Sequence, residues 1–357
     1  MPIKVFVVDD SAVVRQAMSH MLANHPEVEL VGSAPNPLLA MDAIRKNPPD
    51  VLLLDIEMPG MDGLTFLRQI MAGTPIPTVI CSTLSTEGSK VALDALSAGA
   101  VAVLAKPKLG LRQHLDESRH EMIQTLKTAA RSRPRPKMAP AGVVSRAAFA
   151  APAPTAIGVH AFAVNKPVVI GSSTGGTQAL ELVLTSLPSD APGIAITQHM
   201  PEKFTAMYAQ RLDGICAMNI REAKDGDRLE RGVALIAPGG WHMQLQKTHG
   251  QYYVKVVDGP PVNRHKPSVD VLFRSAAECA GRDALGIIMT GMGDDGARGM
   301  KVMHDTGART IAQNEETCVV FGMPKEAIKL QAVDDILPLE SMARAILQFD
   351  SRADARA

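Results

Sequence analysis

Flat side chains are scarce in this chain. It has one Trp, three Tyr and eight Phe, so only 3% of its 357 residues are aromatic. That leaves little material for a surface that stacks nucleic-acid bases. Cysteine is scarce too: Cys81, Cys216, Cys279 and Cys318 stand far apart and form no Cys-x-x-Cys pair. The spacing supports neither a disulfide framework nor a zinc site, and reduced thiols are expected. Neither charge is in excess, with Lys+Arg and Asp+Glu both at 37. A balanced chain gives no electrostatic case for nucleic acid or for an anionic membrane. No uninterrupted apolar stretch approaches the roughly 20 residues that span a bilayer. The start, Met1-Pro2-Ile3-Lys4-Val5, runs directly into a strand pattern and lacks the segments of a secretory signal. A soluble cytoplasmic protein is expected, with no nucleic-acid partner and no membrane insertion.

What the chain does have is length for two domains and a globular hydrophobic content of 46%. Over the first part, short apolar runs alternate with amphipathic stretches. The runs are Ile3–Val8, Val28–Gly32, Val51–Leu54, Thr78–Cys81 and Val101–Leu104. Four are rich in Val, Ile or Leu, as strands buried on both faces are. Val28-Glu29-Leu30-Val31 is more polar and reads as an edge strand. Between the first two lies Ser11–Ala23, with Val13, Val14, Ala17, Met18 and Met21 set along one helical stripe. Strand–helix alternation of this kind implies a doubly wound parallel sheet. We place this domain at residues 1–125. An Ala/Pro-rich linker follows at 126–165, with periodicity lost from about Arg131. A second α/β domain occupies 166–350. In it, Val168–Gly171, Gly193–Thr197 and Ala284–Thr290 read as main strands. Gly232–Ala237, His242–Gln246 and Tyr252–Val257 read as shorter ones, the last two as a hairpin.

Ligands of open α/β sheets bind outside the carboxyl ends of strands. In the first domain Asp9 and Asp10 end the first strand, Asp55 the third, Ser82 and Thr83 the fourth, and Lys106-Pro107 the fifth. Clustered carboxylates repel and call for a cation, and Mg²⁺ suits an all-oxygen site. A carboxylate can also attack a phosphoryl donor. Mg²⁺ and Lys106 would then offset the charge on the transferring group. Val7-Val8-Asp9-Asp10-Ser11, Leu52-Leu53-Leu54-Asp55-Ile56-Glu57-Met58-Pro59-Gly60-Met61-Asp62-Gly63 and Ala105-Lys106-Pro107 resemble the receiver domains of two-component response regulators. The resemblance implies a flavodoxin-like fold and phosphorylation of Asp55 by a histidine kinase. It implies Mg²⁺ held by Asp10, Asp55 and the Glu57 carbonyl, with Asp9 acting through water. Ser82 and Lys106 match the switch positions, and Thr83 is a weaker candidate than Ser82.

In the second domain, Gly171-Ser172-Ser173-Thr174-Gly175-Gly176 joins a strand to a helical stretch, Thr177–Leu187. Gly-x-Ser-x-Gly spacing at such a turn matches a nucleophile elbow, and Ser173 sits at its middle. A phosphate-binding turn competes with that reading, although the dinucleotide and Walker spacings are absent. His199 follows the next main strand, and Asp294 and Asp295 follow a later one. Ser, His and Asp at three strand ends satisfy the logic of a catalytic triad. Spacing does not separate the two aspartates. His242 and His265 lack the strand-end context. The segments Ile170–Thr177, Ile196–Pro201, Asn263–Phe273 and Met289–Ala297 resemble the catalytic domain of chemotaxis protein-glutamate methylesterases, the CheB family. That resemblance implies a Rossmann-like doubly wound fold and a triad of Ser173, His199 and Asp295. It also implies an oxyanion hole that uses the Met292 N–H. Family members commonly carry Ala where this chain has Ser172.

The implied reaction is acyl transfer: hydrolysis of glutamate methyl esters on methyl-accepting chemotaxis receptors, with deamidation of receptor glutamines. No metal is needed for that half. One chain carrying both sites suggests autoinhibition, with the receiver covering the Ser173 cleft until Asp55 is phosphorylated. Three rivals are a non-enzymatic adaptor, a nucleotide-binding domain built on the Gly171–Gly176 turn, and a DNA-binding output. The last lacks a basic recognition helix.

Overall fold

A computed structural model describes residues 1–23, 25–58, 62–82, 86–106, 112–132 and 166–351. Thr83, Pro107 and residues 133–165 of the linker expected at 126–165 lie outside the described residues. The chain divides into two compact units. No described helix is long and apolar enough to cross a membrane. The cysteines are free thiols. Burial pushes Cys81 and Cys216 up to about 12 and Cys279 to about 11, so they behave as inert packing groups.

In the first unit the five expected runs form β1 (Ile3–Val8), β2 (Val28–Ala34), β3 (Val51–Asp55), β4 (Thr78–Ser82) and β5 (Ala102–Ala105). They pair in parallel in the order β2-β1-β3-β4-β5. This is the flavodoxin-like order, and β2 is the edge strand its polar sequence suggested. Leu52, Leu53 and Leu54 of β3 are fully buried because helices cover both faces of a parallel sheet. The connections are α1 (Ala12–Leu22), α2 (Pro37–Lys46), α3 (Gly63–Ala72) and α4 (Thr86–Ala98), and α5 (Arg112–Ala130) closes the unit.

Two expectations need correcting. Val13 is exposed, and α1 buries Met18, Met21 and Leu22 instead. Val13 precedes Val14 by one residue, about 100° around a helix, and so falls off the stripe. Helix α5 also continues past residue 125 to Ala130, because Met122, Ile123, Leu126 and Ala129 keep a buried helical spacing through it.

The second unit is built on seven parallel strands. In chain order they are β6 (Val168–Ser172), β7 (Ile194–Gln198), β8 (Asn219–Glu222), β10 (Val233–Ile236), β13 (Leu285–Ile288), β14 (Arg309–Gln313) and β15 (Asp335–Leu337). Their spatial order is β15-β14-β13-β6-β7-β10-β8. A separate antiparallel ribbon joins β11 (His242–Thr248), β12 (Gln251–Val257) and the short β9 (Arg228–Leu229). The hairpin expected from the sequence is therefore present, while the strand expected at Gly232–Ala237 belongs to the main sheet. Strands β8, β9, β14 and β15 carry no compact apolar run. Three of them are sheet edges, β8 and β15 in the main sheet and β9 in the ribbon, where half-exposure weakens the signal.

The chain leaves β6 towards β7 and later crosses back to β13 on the other side. That reversal makes the gap between β6 and β13 the topological switch point, where ligands of open sheets bind. In the first unit the reversal lies between β1 and β3. The core of the second unit sits where α8 (Val269–Cys279) lays Val269, Leu272, Phe273 and Ala276 against Val169, Ala195 and Ile288. Gly171 permits this approach, since a Cβ there would stand 2.2 Å from Val269 Cγ1.

Candidate functional site

Each unit gathers polar side chains at its own switch point. In the first, the strands deliver Asp9, Asp55, Ser82 and Lys106 to one end of the sheet. Asp9 and Asp55 are buried and Asp10 is exposed. Ligand atoms of the three carboxylates lie within 4.8 Å of one another. Lys106 Nζ donates to Asp55 Oδ2 at 2.7 Å and lies 3.3 Å from Asp9 Oδ2. Burial, opposed by Lys106 and aided by the Asp55 charge, pushes the Asp9 carboxyl above its ordinary value. Burial would lower Lys106, but its bond to Asp55 holds it above the usual lysine range. Asp9 Oδ1 accepts from Ser11 N at 2.9 Å, while the buried Oδ2 has no hydrogen-bond partner among the described residues. Three converging carboxylates, one with an unsatisfied buried oxygen, fit a hard divalent cation such as Mg²⁺. Glu57 follows Asp55 closely, its N–H donating to Asp55 Oδ1 at 3.1 Å. The buried Ser82 ends β4, and its carbonyl accepts from Lys106 N at 2.9 Å.

In the second unit, β6, β7 and β13 are neighbours, and Ser173, His199 and Asp295 follow their carboxyl ends. Gly175 and Gly176 turn the chain after Ser173 into α6 (Gly176–Thr185). Gly175 has φ +78°, and a Cβ there would stand 2.5 Å from Val319 Cβ. The turn needs glycine for conformation and for space alike. Ser173 N donates to Thr290 O at 3.0 Å, and His199 N donates to Ser172 O at 3.1 Å. These bonds tie the loop after β6 to those after β13 and β7. The two serines differ. Ser172 is fully buried and its hydroxyl donates to Gln198 Oε1 at 2.7 Å, whereas Ser173 is only partly buried.

His199 Nε2 lies 2.8 Å from Asp295 Oδ2. The other ring nitrogen, Nδ1, is buried and has no hydrogen-bond partner among the described residues. With Nε2–H given to a carboxylate, Nδ1 keeps the lone pair a base requires. Asp295 is buried and Asp294 is exposed, which separates the two acids that spacing left equal. Five donors converge on Asp295. They are His199 Nε2, Asn263 Nδ2 at 2.8 Å, Ser268 Oγ at 2.7 Å, Val269 N at 2.7 Å and Asp270 N at 3.3 Å. Two are backbone groups in the first turn of α8, so the carboxylate caps a helix N-terminus. Burial alone would raise Asp295, but these donors, His199 foremost, hold it well below the ordinary carboxylate range. Met292 is exposed in the loop after β13, beside Gly291, where a Cβ would stand 2.8 Å from Ser173 Cβ.

Around Ser173, His199 and Asp295 stand Gln198, Asn263 and Ser268, for which the sequence suggests no role, and His265, which ranks below His199 as a base for want of a strand end. Gln198 links Ser172 to the carbonyls of Ser173 and His199, at 2.9 and 3.1 Å. Asn263, Ser268 and His265 come from the segment between β12 and α8. The ring of His265 stacks on His199. The available signal was the polar run Asn263-Arg264-His265-Lys266-Pro267-Ser268, dense in hydrogen-bonding groups just before an apolar helix. His242 lies one step further out, with Nδ1 accepting from Ser268 N at 3.2 Å and Nε2 3.0 Å from Pro260 O.

Both halves of the chain are similar to known proteins. The family model for CheB methylesterase matches residues 168–346, and that for the response regulator receiver domain matches residues 5–115. A protein-glutamate methylesterase/protein-glutamine glutaminase 2 of Dechloromonas aromatica is 55% identical over 351 residues, covering 97% of this chain and 98% of its own. One from Xanthomonas campestris pv. campestris is 56% identical over 348 residues, covering 96% and 99%. Among solved structures, the CheB methylesterase catalytic domain of Thermotoga maritima is 37% identical. It covers 52% of this chain and 98% of its own, with a TM-score of 0.50.

Proposed function

The chain belongs to the CheB methylesterase family, with a response-regulator receiver ahead of the hydrolase half, and from that footing we propose that Ser173, His199 and Asp295 are its catalytic triad. The protein removes methyl esters from glutamates of methyl-accepting chemotaxis receptors and deamidates receptor glutamines, under control of phosphorylation. The observation that carries the assignment is the His199–Asp295 bond, 2.8 Å long, beside the partly buried Ser173 at the switch point.

His199 Nδ1 takes the proton of Ser173 Oγ as Oγ bonds to the ester carbon. Charge moves to the carbonyl oxygen, for which the Met292 N–H is the proposed donor, a contribution of typically ~3 kcal/mol. The carbon–methoxy bond then breaks, and Nδ1–H protonates the departing methoxide, which leaves as methanol. Water adds to the acyl carbon and gives its proton to Nδ1; the bond to Ser173 Oγ then breaks as Nδ1–H returns that proton to Oγ, releasing glutamate. Asp295 fixes the tautomer and offsets the charge on His199 throughout. In deamidation ammonia replaces methanol, and its departure leans harder on the His199 proton. No metal enters this half.

In the receiver, Asp55 is the proposed phosphoacceptor and a histidine kinase the donor. Asp10, Asp55 and the Glu57 carbonyl would hold Mg²⁺, with Asp9 acting through water. When bound, the ion supplies positive charge against these carboxylates and the phosphoryl group. Lys106 and Ser82 would then engage the phosphoryl oxygens and register the change. We assign the receiver to residues up to 132 and the catalytic domain to 166–350, with the Ala/Pro-rich stretch as linker, in a cytoplasmic protein. The deciding assay is methanol release from methylated receptor, with and without a phosphoryl donor, for wild type, Asp55→Ala and Ser173→Ala. Asp55→Ala flattens the response to the donor and Ser173→Ala abolishes turnover; full turnover in Ser173→Ala removes the hydrolase reading.

A further inference from the structure

Asn263 and His265 perform no chemistry in the mechanism above, yet both reach the triad from one four-residue turn. Val262 and His265 exchange backbone hydrogen bonds at 3.0 and 2.9 Å. The two residues between them, Asn263 and Arg264, have φ of +50° and +69°. Positive φ at both central positions is the signature of a tight hairpin turn of the primed type. Asn tolerates it, but a long side chain such as Arg adopts it rarely. Backbone strain of this kind persists where surrounding contacts over-determine it, and it gathers at functional sites.

The contacts here are specific. The Asn263 amide nitrogen lies 2.8 Å from Asp295 Oδ1 and 2.8 Å from Asp270 Oδ2, so its two hydrogens serve two buried carboxylates. Asp270 is anchored on its other oxygen by Gly299 N at 2.6 Å. Two residues further along, the His265 ring lies parallel to that of His199, with centroids 3.7 Å apart and planes 10° apart. Burial, and then the nearby His199, push His265 down to about 4, so it is neutral at neutral pH. It therefore adds no like charge beside the cation that forms on His199 during turnover.

We propose that the Val262–His265 turn is a positioning device that registers the acid and the base of the triad to each other. Asn263 holds the Asp295 carboxylate and His265 holds the plane of the His199 ring, both from one piece of backbone. The inference rests on the triad assignment. Neither residue touches the reacting atoms. What they govern is orientation, and displacement of a catalytic group by about 1 Å costs on the order of 100-fold in rate.

The test is steady-state methanol release by the full chain, with kcat and KM resolved, for His265→Ala, His265→Phe, Asn263→Ala, the double alanine variant and Ser173→Ala. His265→Ala and Asn263→Ala each lower kcat by about 30-fold, while KM stays within about twofold. His265→Phe, which keeps a flat ring for stacking but no ring nitrogen, recovers most of that loss. The double variant loses less than the product of the single losses, because residues acting as one unit are not additive. Three results overturn the device: His265→Phe as impaired as His265→Ala, losses confined to KM, or fully multiplicative losses. If His265→Ala does not fold, His265→Leu, bulky but not flat, against His265→Phe makes the same comparison. Turnover by Ser173→Ala would instead sink the triad itself. An inactive Ser173→Ala beside turn variants at wild-type rates sinks the positioning device alone.

Discussion

Asp9 and Asp295 occupy equivalent places in the two halves of this chain. Each is buried, each follows a central parallel strand, and each sits at a switch point. Their ionisation is nevertheless pushed in opposite directions, Asp9 up and Asp295 down. Burial acts on both in the same sense. What differs is the number of donors supplied. Asp295 receives five hydrogen bonds, two from a helix N-terminus. Asp9 receives one from Ser11 N and shares the Lys106 ammonium with Asp55. One site arrives with its charge already solvated by protein. The other sets one ammonium against two buried carboxylates, a balance that suits a transient cation and phosphoryl group. The proposed catalyst and the proposed switch thus differ in how completely the fold satisfies its own carboxylates.

The harshest trial of that contrast removes the proposed nucleophile. Ser173→Ala should cut kcat for methanol release by about 10⁶-fold, while uptake of phosphate by Asp55 from a small phosphoryl donor is unchanged. A parallel loss of phosphorylation would mean the two sites are not separable. Asp295→Asn keeps the shape but removes the charge and disturbs the His199 tautomer, and should cost about 10⁴-fold in kcat. A loss below tenfold would show that the five donors serve stability rather than catalysis. The receiver should respond to metal as the hydrolase does not. At 100 times its dissociation constant, Mg²⁺ stabilises its site by about 2.7 kcal/mol. Calorimetry should therefore show one transition moving upward, and the shift should vanish in Asp10→Asn. Equal shifts in both transitions would erase the distinction.

The smallest effect is on stability against pH, in Mg²⁺-free buffer. Asp9 has a folded value above its unfolded 3.8. Its ionisation weakens the fold at neutral pH, and that penalty is relieved as pH falls through the raised value, fully so below 3.8. Asp295 has a folded value below 3.8. Its contribution is complete above 3.8 and is lost as pH falls from there towards the lowered value. At pH 7, Asp9→Asn should therefore melt above wild type and Asp295→Asn below it. Both gaps should close on acidification, the Asp9 gap first. Gaps of the same sign would refute the comparison.

Strand ends were legible in the sequence because parallel strands here are short apolar runs, and the residue ending each run falls on one edge of the sheet. That is why Asp9, Asp55, Lys106, Ser173, His199 and Asp295 could be named without coordinates. The choice between Asp294 and Asp295 was open on spacing, since neighbours differ only in which way the chain turns. The support around the proposed triad was hidden for another reason. Asn263, His265 and Ser268 come from irregular chain, where no periodicity tells a side chain that points inwards from one in water. Gln198 ends a strand, but nothing local reveals that its amide faces a neighbouring strand. Strand β14 was missed because its polar ends, Arg309 and Gln313, break the apolar run. Gln313 is buried by bonds to Thr290 and Thr317, partners far apart in sequence or set in a loop.

The link between Ser172 and Gln198 has a consequence for how this sequence can drift. The Ser172 hydroxyl is what Gln198 Oε1 accepts from, in a space so tight that a Cβ at Gly176 would come within 2.1 Å of that same oxygen. An alanine at position 172 would strand the amide oxygen where water has little room to enter. Positions 172, 176 and 198 are therefore coupled by one hydrogen bond and one close approach, and a change at any of them acts on the other two.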